Sequence, residues 1–207
     1  MKTAVLILAA GGATRFGSVK QLALIDGKPM LQHCVDTASH LSPGAVFTVL
    51  GSHADELRCH ISGTEIIYNH QWQQGLGSSM AVGVSYLKDK VDAILVLLAD
   101  QPRIKVDYLE RLVALFEGQH VACSQYSSHL GIPAIFGKSH FNALMNLSGD
   151  TGGKALLESI RPAPKSLALG DVAADIDYPE DLTAFIQQIE VERTKESQIN
   201  INRLKVV

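Results

Sequence analysis

The chain has 207 residues, 46% of them hydrophobic and 19% charged, and a formal net charge of −3. Such a chain can bury a full-size core, and its charge balance gives no global attraction to nucleic acid or to an anionic membrane. Its three cysteines, Cys34, Cys59 and Cys123, are too few and too scattered for a disulfide scaffold or a thiolate zinc site, which points to a reducing cytoplasm.

The first apolar run, Ala4–Ala10 (AVLILAA), is too short to span a bilayer and carries no leader cleavage pattern. It predicts a strand buried on both faces. Pro29–Leu41 predicts a helix, with Met30, Leu31, Cys34, Val35 and Ala38 at three- and four-residue steps. Ala45–Leu50 is a second strand, His53–His60 a short helix and Glu65–Tyr68 a third strand. Ser78–Leu87 predicts a helix opened by a serine cap.

Asp92–Ala99 (DAILVLLA) is another strongly apolar strand, followed by an amphipathic helix over Val106–Phe116. His120–Gln125 and Ile132–Phe136 are weaker strands. Ser139–Met145 and Gly153–Ile160 are helical, Ser166–Leu169 is a short strand, and Pro179–Ile189 is a helix with proline in its first turn. The alternation predicts an α/β domain over residues 1–190, with a mostly parallel, helix-covered sheet. Residues 191–207 are predicted as a C-terminal tail, frayed or docked on a partner subunit.

Four segments carry chemistry. In "LAAGGATRFGSVKQ" (8–21), a buried strand runs into Gly11, Gly12, Arg15, Gly17 and Lys20. Glycine backbone can approach an anion, Arg15 can grip phosphate with its fork, and Lys20 can neutralise charge. The spacing fits neither the Walker A nor the Rossmann glycine pattern, and an ordinary strand-to-helix turn with two solvated cations stays open. In "NHQWQQGLGSSMAVG" (69–83), Gly75, Ser78 and Ser79 form either a helix cap or the edge of a pocket, and Trp72 either lines that pocket or packs in the core.

Asp100 ends the apolar strand in "LADQP", where it faces the same crevice as the first loop and suits a hard cation such as Mg²⁺. Capping the next turn is the alternative. In "DIDYPEDL" (175–182), Glu180 and Asp181 suit the first turn of a helix, while Asp177 is a cap or a metal ligand. "GDTGGK" (149–154) reads as a turn into a helix, with Lys154 able to meet a phosphate. No histidine spacing suits zinc, and no serine or cysteine nucleophile motif is present.

Leu8-Ala9-Ala10-Gly11, with Arg15-Phe16-Gly17 and Lys20-Gln21-Leu22, resembles the signature loop of nucleotidyltransferases of the molybdenum-cofactor type, most of all the cytidylyltransferases among them. The resemblance covers about residues 3–190 and implies a three-layer, Rossmann-like sheet of the nucleotide-diphospho-sugar transferase type. It implies that Leu8, Ala9, Ala10, Gly11 and Gly12 line a nucleotide, with Arg15 and Lys20 on the departing pyrophosphate. The L-A-A-G form accompanies CTP and an L-A-G-G form GTP, so Ala10 implies cytidine. Gly75, Ser78 and Ser79 would lie against the base or ribose.

The 175–182 segment resembles the family's I-D-x-P-E-D-L motif, which makes Asp177 a second Mg²⁺ ligand beside Asp100 and Asp175 a lesser candidate. Gly149, Asp150 and Lys154 would seat the pterin substrate or the nucleotide. The implied reaction moves CMP from CTP to the terminal phosphate of molybdopterin-type molybdenum cofactor, with a transient contact to a molybdoenzyme acceptor. Three positions depart from the pattern: Ala13 for serine, Tyr178 for threonine and Lys154 for arginine. Two other readings stay open: transfer to a sugar phosphate or other phosphorylated alcohol, and a nucleotide-binding chaperone or regulator that has lost catalysis.

Overall fold

The computed structural model describes residues 1–149, 152–170 and 175–204. Thr3–Leu8 forms strand β1. Ala4, Leu6 and Leu8 point into one hydrophobic layer, and Val5, Ile7 and Ala9 into the other. Helices cover both faces, so from Ala4 onward the strand is apolar at every position rather than at alternate ones.

After β1 come a small antiparallel hairpin, β2 (Leu24–Ile25) and β3 (Lys28–Pro29), then α1 (Met30–Leu41), β4 (Val46–Leu50), α2 (Ala54–Leu57), β5 (Glu65–Tyr68), α3 (Leu76–Leu87) and β6 (Ala93–Leu98). The rest is α4 (Val106–Ala114), β7 (Val121–Gln125), β8 (Leu130–Gly137), α5 (Phe141–Met145), α6 (Gly152–Ser159), β9 (Lys165–Ala168) and α7 (Pro179–Leu204). The main sheet has seven strands in the order β5-β4-β1-β6-β8-β7-β9. All run parallel except β8, which is antiparallel to both its neighbours. Helices α3, α5 and α6 pack on one face, and α1, α2 and α4 on the other. The result is the three-layer, mostly parallel sheet that the alternation predicts.

The chain leaves β1 toward β4 and β5, then returns to place β6 on the other side of β1. Such a reversal opens a crevice beyond the carboxyl ends of the strands. A third, smaller cluster closes one side of it: Phe16 from the glycine-rich loop, Ile25 from β2 and Met30 from α1 pack with Ile176 and with Phe185 of α7.

Two expectations are corrected. Helix α3 begins at Leu76, with Gly75 as its cap residue at φ +90° and no side-chain cap hydrogen bond; Ser78 therefore lies inside the first turn instead of opening it. Gly75 suits that place because only glycine adopts such a φ without strain. Helix α7 does not stop near Ile189 but continues to Leu204. The Arg193 guanidinium on it pairs with Asp26 in the turn between β2 and β3, at 2.9 Å.

Candidate active site

The crevice at the strand ends is a cleft of about 520 Å³. One wall is the backbone from Leu8 to Gly12 together with Ala13, Thr14 and Arg15; the other includes Trp72, Gly75 and Ser79; Lys20, Asp100 and Asp177 line it as well. Four predicted residues from three well-separated segments, Arg15 and Lys20 from the loop, Asp100 and Asp177, therefore share one cavity.

Two close contacts hold the loop in place. Gly12 lies on the Trp72 indole: a Cβ there would come within 3.2 Å of the ring, and one on Gly51 within 2.5 Å of the Trp72 Cβ. Trp72 thus both lines the cleft and packs beneath the loop. From the other side, the buried Gln21 amide donates to the carbonyls of Ala9 (3.2 Å) and Gly11 (3.0 Å). With these carbonyls tied back, no side chain crowds Gly11, whose absent Cβ would meet nothing within 4 Å.

The charged end is built around Lys20. Its ammonium donates to Asp100 Oδ2 and to Asp177 Oδ1, both at 3.0 Å. Burial is the largest influence on this ammonium and disfavours its charge, but Asp100 and Asp177 together outweigh it and raise its pKa above the ordinary lysine value. Arg15 is mostly exposed, its Nη1 lying 3.7 Å from Asp177 Oδ2. Asp177 is held from several directions. The Ile176 N–H donates to the Asp100 carbonyl at 3.0 Å, and the Asp181 carboxylate accepts from the backbone N–H groups of Asp177 and Tyr178 at 3.0 and 2.8 Å.

The other oxygen of Asp100, Oδ1, is buried and has no hydrogen-bond partner among the described residues. An orphaned carboxylate oxygen beside a second carboxylate fits a hard divalent cation. Among the described residues no three His, Cys, Asp or Glu gather as a cage, so the protein alone would offer Asp100 and Asp177 and leave the remaining positions to phosphate oxygens and water.

Beyond Asp100, the Gln101 amide donates to the Tyr126 hydroxyl (2.7 Å) and to Asp175 Oδ1 (2.8 Å), while the Tyr126 hydroxyl donates to the Ile132 carbonyl. Part of Asp175 meets solvent, yet desolvation of its carboxyl first, and the negative Asp100 and Asp177 next, raise its pKa above the ordinary value. Asp175 thus ties down the segment that carries Asp177.

The opposite end of the cleft is neutral. Asn69, buried at the end of β5, donates to Ser78 Oγ (2.9 Å) and Ser79 Oγ (3.0 Å) and accepts from the Gln71 N–H (2.9 Å). The Ser78 hydroxyl is turned inward, within reach of the Gly75 and Gln71 carbonyls. Ser79 lines the cleft and Ser78 does not. Gly149 and Lys154 also stand apart from the cleft lining among the described residues, and Asp150 lies outside those residues. The tight packing of Gly77 on the Ser148 backbone, 2.8 Å from a would-be Cβ, nevertheless sets the 146–149 turn against the start of α3.

Sequence reasoning missed the supporting amides of Gln21, Asn69 and Gln101. Gln21 and Gln101 stand beside Lys20 and Asp100, and Asn69 opens the second glycine segment, but no spacing rule marks a glutamine or asparagine that acts by bonding to distant backbone or hydroxyl groups.

Residues 5–165 match the family model described as a MobA-like NTP transferase domain, and the chain belongs to that family. Asp177 lies beyond the matched stretch. The chain is 36% identical over 125 residues to the bifunctional protein GlmU of Alcanivorax borkumensis, an alignment covering 59% of this chain and 27% of that protein. It thus spans about a quarter of the length of the curated relatives it matches. Rv0371c from Mycobacterium tuberculosis superposes with a TM-score of 0.81 at 25% identity, covering 90% of this chain and 98% of the other. A structure of that protein in complex with manganese superposes at 0.77, with 24% identity and 90% and 99% covered. Molybdopterin-guanine dinucleotide biosynthesis protein A from Archaeoglobus fulgidus shares the fold at a TM-score of 0.63 and 18% identity, with 91% and 98% covered.

Proposed function

We propose that this MobA-like NTP transferase moves CMP from CTP to the terminal phosphate of molybdopterin-type molybdenum cofactor, giving the cytosine dinucleotide and pyrophosphate. The observation that carries the reading is the meeting of Arg15, Lys20, Asp100 and Asp177 in one cleft at the strand ends. The Leu8-Ala9-Ala10-Gly11 run supports cytidine over guanosine by resemblance, and the molybdopterin-linked relative supports the acceptor.

The glycine-rich backbone seats the triphosphate, held open by Gln21 and supported by Trp72. The neutral end, with Gly75 and Ser79, receives the base and ribose. An acceptor phosphate oxygen attacks the α-phosphorus in line, and the bond from that phosphorus to the bridging oxygen of the β-phosphate breaks. Arg15 and Lys20 stabilise the negative charge gathering on the leaving pyrophosphate. The attacking phosphate is already ionised at neutral pH, so no side chain has to act as a general base. Asp100 and Asp177 would hold a divalent cation, which we take as Mg²⁺, and which when bound neutralises phosphate charge in the transition state. The manganese complex of the Mycobacterium tuberculosis relative supports a divalent ion.

A second reading keeps the reaction and exchanges the acceptor for a sugar phosphate or another phosphorylated alcohol. It draws on the position of Gly149 and Lys154, which the resemblance assigns to the pterin or nucleotide and which stand outside the cleft lining. Pyrophosphate release with CTP or GTP, and with molybdopterin or a sugar 1-phosphate, separates the two. The expected result is CTP-preferring turnover on molybdopterin, abolished by Asp100→Ala. Preference for GTP, or turnover only with the sugar phosphate, overturns the cytidylyl or the molybdopterin part respectively.

A further inference from the structure

The Lys20 ammonium stands between two carboxylates, 3.0 Å from Asp100 Oδ2 and 3.0 Å from Asp177 Oδ1. Those are also the two acids that a divalent cation would use. An ion ligated at about 2.1 Å by either of these oxygens would stand within about 5 Å of the ammonium. Lys20 is itself 8% exposed, so little solvent screens the repulsion. A cation on this acid pair and Lys20 in its observed place therefore exclude one another to a large degree.

The lysine has somewhere else to go. Its four-carbon stem is flexible, and the cleft it lines is also lined by the glycine-rich backbone and Arg15, where a polyanion would lie. We propose that Lys20 is a built-in competitor for the metal: a triphosphate draws the ammonium off the carboxylates, and the cation takes its place, so metal and nucleotide bind as one coupled event. This rests on the nucleotidyl-transfer reading of the cleft. It assigns Lys20 two opposed effects, weakening the binding of a bare cation and strengthening that of a cation with nucleotide.

The test is Mn²⁺ titration of the full chain, followed by the electron paramagnetic resonance of free Mn²⁺, with and without CTP. In the parent protein CTP should tighten Mn²⁺ binding by about tenfold or more, and Mn²⁺ should tighten CTP binding by the same factor. Lys20→Met should bind Mn²⁺ alone about tenfold more tightly than the parent, and the factor by which CTP tightens that binding should shrink, because only direct ligation by the phosphate oxygens remains. Adding Asp100→Asn to Lys20→Met should remove the gain, which assigns it to this acid pair. Equal or weaker Mn²⁺ binding by a folded Lys20→Met overturns the proposal. So does a parent protein whose Mn²⁺ affinity ignores CTP, a result that needs no variant to fold. Pyrophosphate release by the parent is scored separately: coupling without turnover sinks the transfer reading and leaves the competitor, while turnover without coupling does the reverse.

Discussion

The two ends of the cleft are built on opposite plans. The charged end joins Lys20 to Asp100 across 80 positions of sequence and to Asp177 across 157, through ion pairs. The neutral end joins Asn69 to Ser78 and Ser79 across nine and ten positions, through uncharged hydrogen bonds. At the charged end the polar groups are only partly satisfied, for Asp100 Oδ1 is buried without a partner among the described residues. The Asn69 amide, by contrast, has both its donor and its acceptor groups engaged. A site that must take up charge keeps an unmet need, whereas a site that must hold a shape meets its needs internally.

The two plans should respond differently to mutation. The largest effect is expected at the charged end: Asp177→Asn should lower turnover by about a hundredfold or more, the scale of the several kcal/mol that a bound metal supplies. Its melting temperature should fall only modestly, because the Asp177 side chain is 41% exposed and Asp100 still pairs with the Lys20 ammonium. Steady-state kinetics beside thermal melts checks both halves. The neutral end should invert this pattern. Asn69→Leu removes the donor to the Ser78 and Ser79 hydroxyls and the acceptor of the Gln71 N–H, which costs about 1–3 kcal/mol. At this chain length that lowers the melting temperature by about 2–4 °C per kcal/mol. A large loss of turnover with an unchanged melt would place Asn69 with the chemistry instead.

The smallest effect concerns pH. The Lys20 pKa is raised above 10.5 in the folded chain, so the stability it contributes is fully present below that value and is lost as pH rises through the folded pKa. Between pH 7 and 9 the stability gap between parent and Lys20→Met should stay constant, and it should narrow only at more alkaline pH. Melts of both proteins across that range give the answer; a gap that closes below pH 9 would mean that the carboxylates do not hold the ammonium.

The same contrast explains what the sequence revealed. The sheet was readable because strands buried on both faces are unbroken apolar runs, as in β1 and β6, and the helices between them carry apolar stripes. Asp100 was readable because a carboxylate directly after such a run has to face the crevice. Asp177 could be named from its motif, but its distance from Asp100 depends on the Ile176 N–H and on Gln101, which meet them only in three dimensions. At the neutral end the order of residues misled. A serine beside glycines resembles a cap, yet Gly75 at φ +90° takes the cap position and the serines turn to Asn69. The length of α7 was missed for another reason: its 26 residues lack a strong apolar stripe, so the periodic signal faded after Ile189 while the helix went on.

The small cluster of Phe16, Ile25, Met30, Ile176 and Phe185 also bears on how the protein is made. It joins the loop after the first strand to residues of α7 and the segment before it, which leave the ribosome after all the strands of the sheet. The sheet can begin to assemble while translation is under way, but the loop gains its last packing partners, and the acid pair its second member, only once Asp177 and α7 have emerged. A polypeptide released early would keep much of the scaffold and lack a finished cleft.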